Sequence, residues 1–75
     1  MKTFSVVVND NESALERLVG LPGWSHWSQP FKQQVFYYPF EESCRTAYFK
    51  AKHRREACKQ LDRAGVWCMR PVSDN

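Results

Sequence analysis

The chain has no Cys-x-x-Cys pair, no glycine-rich loop and no long apolar run, and each absence removes a class of function. Its three cysteines, Cys44, Cys58 and Cys68, are odd in number and widely spaced. A small secreted domain relies on an even, dense disulfide framework, so this pattern predicts reduced thiols and a cytoplasmic setting. Zinc is poorly served too, because Cys44, His53, Cys58 and Cys68 lack the close pairing that brings four ligands to one ion. The glycines, Gly20, Gly23 and Gly65, fall at helix ends and turns rather than in a phosphate-cradling run. Met1-Lys2-Thr3-Phe4 leads into a short apolar run, Val6 to Val8, that stops at Asn9-Asp10. That predicts neither a signal peptide nor a membrane span.

Catalytic pairings are equally sparse. A dyad of Cys44 and His53 needs a strand turn and a helix start to converge, with a third group to orient the imidazole. Glu41 and Glu42 are adjacent, so their side chains diverge instead of flanking a substrate. The expectation is a non-catalytic protein without metal or cofactor.

What the chain does have is a core and a charge asymmetry. At 75 residues it is one small α+β domain near the lower limit for a self-sufficient core. An apolar share of 43% suffices for that core and argues against disorder. Eight of the eleven Lys and Arg residues lie between Arg45 and Asn75, a segment of net charge +5, while the first 44 residues carry −2. A cationic half points to an acidic partner, nucleic acid or protein; a solvated helix face with snorkelling lysines is the plainer reading.

Periodicity organises the rest. Thr3 to Val8 reads as a strand with Phe4, Val6 and Val8 inward. Asn9 and Glu12 stand at capping-box spacing ahead of Ala14, Leu15, Leu18 and Val19, an amphipathic helix stopped at Gly20 in the left-handed conformation. Trp24 to Gln29 reads either as one helical turn or as an ordered loop. Strand character resumes from Phe31 or Gln34 to Phe40, with Pro39 marking an edge or a strand end, and Glu41-Glu42-Ser43 forms a turn. Arg45 to Ala51 alternates, placing Ala47, Phe49 and Ala51 inward and Thr46, Tyr48 and Lys50 outward. His53 to Ala64 is a second helix, with Gly65 as its stop; Val66 to Val72 closes the domain and Ser73-Asp74-Asn75 is a frayed end. The order β-α-β-β-α-β predicts the ferredoxin-like arrangement, an antiparallel four-stranded sheet with two helices on one face, a fold that serves many functions.

Two surfaces are candidates for binding. Tyr48, Lys50, Lys52, Arg54, Arg55, Lys59 and Arg63 form the basic set, with Arg55, Lys59 and Arg63 at four-residue spacing on one helix face. Tyr48, extended by Tyr37 or Tyr38 and bordered by Arg70, offers a stacking platform for bases on the open sheet, although the glycine-aromatic signature of RNA-recognition sheets is missing. Trp24 and Trp27, with Leu21 and Phe31, form either a protein hot spot or the lid of a small core. Three readings follow. The first is a non-catalytic inhibitor or adaptor docking on a protein or nucleoprotein complex with an acidic surface. Small proteins of bacteriophages and mobile elements, anti-CRISPR proteins among them, share this size and economy. The second is a direct RNA or DNA binder, and the third a small dimerising regulatory domain. The expected state is a monomer or homodimer away from membranes.

Overall fold

Alternation in two segments builds the centre of the molecule. The computed structural model describes residues 1–33, 41–66 and 71–73. β1 (Lys2–Asn9) and β4 (Glu42–Ala51) pair antiparallel along their whole length, from Lys2 opposite Ala51 to Asn9 opposite Cys44. Directly opposed residues share a face, so Phe4 meets Phe49 and Val6 meets Ala47 on one side. All four are buried there, the two rings 6.2 Å apart between centroids. The inward sets expected from the sequence are therefore the ones observed.

Both helices cover that side. α1 (Glu12–Val19) contributes Leu18, and α2 (Arg54–Ala64) contributes Ala57 and Leu61, to one core with Phe4, Val6, Val8, Ala47, Phe49 and Ala51. Around them the sheet has five strands among the described residues. β2 (Trp24–Trp27), β4, β1 and β5 (Val72–Ser73) lie in that order, and β3 (Phe31–Gln33) pairs with β4 as well. The mixed α+β class holds, and the sheet is antiparallel throughout.

Several local expectations are revised. Trp24 to Trp27 is neither a helical turn nor a loop but an edge strand, its Trp24 opposite Phe49 and Trp27 opposite Ala47. A register shift at Ser25 explains why the sequence hid it. Two residues three apart on a regular strand point to opposite faces, whereas one bulged residue restores both indoles to the core side. The edge then breaks before β3. Ser28 donates its N–H to the Thr46 carbonyl at 2.8 Å, but Thr46 N–H donates to the Ser28 hydroxyl, at 2.9 Å, where a ladder would offer a carbonyl. Pro30, which has no N–H, follows.

The first helix is capped by Asn11, not Asn9. The Asn11 side chain accepts from the backbone of Ser13 and Ala14, at 2.9 and 3.3 Å, because Asn9 is still paired in the ladder with Cys44. Gly20 ends α1 in ordinary right-handed geometry (φ −77°), so left-handed freedom is not used there. It is used at Gly65 (φ 71°), where Gly65 N–H bonds the Asp62 carbonyl and Val66 N–H the Leu61 carbonyl. This is a Schellman closure with buried Val66 packed back toward the helix. β4 begins at Glu42, inside the expected turn, and Ser73 belongs to a strand instead of a frayed end. The strand expected up to Phe40, with Tyr37 and Tyr38, is described only to Gln33. Of the closing segment, 67–70, with Cys68 and Arg70, lies outside the described residues.

Candidate basic docking surface

The basic residues divide between two sides of the sheet. Alternation along β4 turns Tyr48 to the face opposite the helices, whereas Arg55, Lys59 and Arg63 stand on the outer side of α2, and Lys50, near the end of β4, borders the same groove as Lys59 and Arg63. Lys52 is exposed in the bend that joins them. Arg54 leaves the ridge: at about 100° per residue it sits roughly a quarter turn behind Arg55 and opposite Arg63. The seven residues are therefore not one continuous patch.

On the open face, Tyr48 does not offer a bare ring. His26, its partner across the ladder, stacks on it with centroids 4.6 Å apart and planes inclined by 16°. Ser25 Oγ lies 2.9 Å from His26 Nδ1 and helps fix that imidazole. Nearby Cys44, on the same side beside Phe31, is fully buried. This face is partly closed by the protein's own rings.

The helical side is more open. Arg55, Lys59 and Arg63 are exposed, and none forms an ion pair with a described residue. Asp62 is exposed on the same helix but forms no ion pair with them, and Glu56 does not neutralise them either. Its carboxylate accepts from Lys52 N–H and from Gln60 Nε2, each at 3.4 Å, and so braces the start of α2. His53 caps the helix, its Nδ1 accepting from Glu56 N–H at 3.2 Å, which requires the neutral ring with its proton on Nε2. Beside the ridge runs a groove of about 530 Å³ lined by Glu56, Lys59, Gln60, Arg63 and Ala64 of α2, by Gly20 to Gly23, and by Met1, Arg17 and Lys50. Gly23 makes this wall possible, since a Cβ there would collide with the Lys50 carbonyl oxygen.

Arg17 went unnoticed in the sequence. It occupies the last turn of α1, and its guanidinium donates to the Gly65 carbonyl at 3.5 Å, where a cation suits the C-terminal end of α2. The spacing of Arg17 from the basic half, 48 residues from Gly65, gives no local signal. Arg45 moves the other way. Counted with the cationic half, it is paired with Asp10 at 2.8 Å, donates to the Ser28 carbonyl at 3.2 Å, and lies 5.8 Å from the Trp27 ring centre. It ties the α1 entry to the β2–β3 break and is withdrawn from any binding role.

The tryptophans also separate. Trp24 packs against the core, while Trp27 is half-buried at its margin, 5.1 Å from Trp24. Among the described residues no three His, Cys, Asp or Glu side chains gather as a metal site, and no helix is long and apolar enough to cross a membrane. Comparison with known proteins finds no matching family model, curated protein or solved structure.

Proposed function

We propose that this chain is a non-catalytic docking protein, an inhibitor or adaptor, whose α2 face seats on an acidic surface of a protein or nucleoprotein complex in the cytoplasm. The observation that carries the reading is the ridge of Arg55, Lys59 and Arg63: three exposed cations in a row without an acidic partner among the described residues. Like charges at four-residue spacing weaken a helix slightly, and an acidic partner removes that repulsion. The adjoining groove sets Arg17, Lys50, Lys59 and Arg63 against one acid, Glu56, whose carboxylate is already engaged by Lys52 N–H and Gln60, and so suits a single carboxylate-bearing side chain better than a continuous phosphate track.

At finer grain we read the fold as ferredoxin-like. Counted as one interrupted strand along the same edge of β4, β2 and β3 reduce the sheet to four positions in that fold's order. Its open face is where nucleic acid binds in RNA-recognition sheets, and here Tyr48 is already stacked by His26. That favours a protein partner over bases. Fluorescence anisotropy with labelled single- and double-stranded RNA and DNA tests this. The expected result is no micromolar binding at physiological salt; micromolar or tighter binding with a steep salt slope would make the chain a nucleic-acid binder instead.

A further inference from the structure

The other helix presents a surface of opposite character. Glu12, Leu15, Glu16 and Val19 follow i, i+3, i+4, i+7 spacing, so they form one stripe of α1, and with Trp27 they line an open groove of about 410 Å³. Val19 is 49% exposed, one of three large apolar residues left outside among those described. Leu15 and Trp27 are half-buried. Glu12 and Glu16 flank this apolar floor, and neither forms an ion pair with a described residue.

We propose that this groove is a second docking site, which takes a partner-protein segment bearing an apolar side chain flanked by Lys or Arg. Charge complementarity selects the occupant: the apolar residue covers Leu15, Val19 and Trp27 while its basic neighbours meet the two carboxylates. The floor is preorganised. Trp24 lies 5.1 Å from the Trp27 ring, and Arg45, itself fixed by Asp10, lies 5.8 Å from it. An indole already held loses little freedom on binding. The site lies on α1 and does not rest on the α2 reading.

The test is an amide and indole NMR titration of the full chain with a short synthetic helix of leucines and lysines, against the same helix with glutamates for lysines. Saturable shifts centred on Leu15, Val19 and the Trp27 indole are expected with the lysine helix alone. Val19→Ser should weaken binding at least about tenfold and the pair Glu12→Gln, Glu16→Gln about fivefold, both with native spectral dispersion. The triple variant Arg55→Ala, Lys59→Ala, Arg63→Ala should bind the lysine helix as the parent does, so failure of the α2 reading would leave this result standing. Equal binding of the glutamate helix, shifts centred elsewhere, or occupation of the groove by a second copy at working concentration would each overturn the proposal.

Discussion

Helices α1 and α2 lie side by side on one face of the same sheet, yet what each leaves outside the core differs in kind. α2 uses its apolar stripe, Ala57 and Leu61, entirely inside, and turns outward a mainly cationic face, Arg55, Lys59 and Arg63 with the single exposed acid Asp62. α1 buries Leu18 but leaves Val19 uncovered on the same stripe as two carboxylates, Glu12 and Glu16. The difference teaches how each face can bind. A ridge of charge attracts over a distance and weakens with salt, whereas an apolar floor acts only on contact and is largely indifferent to ionic strength. A small domain with one core can thus carry two surfaces that obey different rules.

The comparison is broken most severely at Gly23, which stands at the junction of the α1 exit and the α2 groove. Gly23→Ala forces a Cβ onto the Lys50 carbonyl and is expected to destabilise the fold on the order of 3 kcal/mol, read by chemical denaturation, with both faces lost together. Next comes the salt response. Raising NaCl from low to high concentration should weaken partner binding through α2 by about tenfold or more and binding in the α1 groove by no more than about threefold; isothermal titration measures both. Capping sharpens the contrast further. Asn11 satisfies two donors and His53 one, so Asn11→Ala should cost about 1 kcal/mol and His53→Ser should be neutral or stabilising by about 0.5 kcal/mol, by thermal unfolding. The smallest effect is on stability in the triple variant Arg55→Ala, Lys59→Ala, Arg63→Ala, expected within about 0.5 kcal/mol of the parent because nothing described depends on those side chains.

Much of the framework was legible in the sequence. Phe4, Val6 and Val8, and Ala47, Phe49 and Ala51, repeat every second residue, and the facing pattern fixes β1 against β4. Gly65 marks its helix end because the closing turn there needs a positive φ. Edge and cap details were not legible, since other elements decide them. The bulge at Ser25 puts Trp24 and Trp27 on one side, and the Ser28 hydroxyl replaces a ladder carbonyl. Asn9 is kept from capping by its pairing with Cys44. Within the candidate site, the Arg55, Lys59 and Arg63 spacing could be read directly, and helix geometry could have removed Arg54. The withdrawal of Arg45 by Asp10, and the arrival of Arg17 beside α2, are contacts between residues 35 and 48 positions apart, which no local pattern announces.

The central claim is that the α2 ridge docks on protein. Affinity capture from a lysate of the cells in which the chain acts, run with and without nuclease and with the triple variant beside the parent, tests it most directly. The account predicts a partner protein retained after nuclease treatment and lost when Arg55, Lys59 and Arg63 become alanine. A partner that disappears with nuclease, or one held equally by the triple variant, would contradict it.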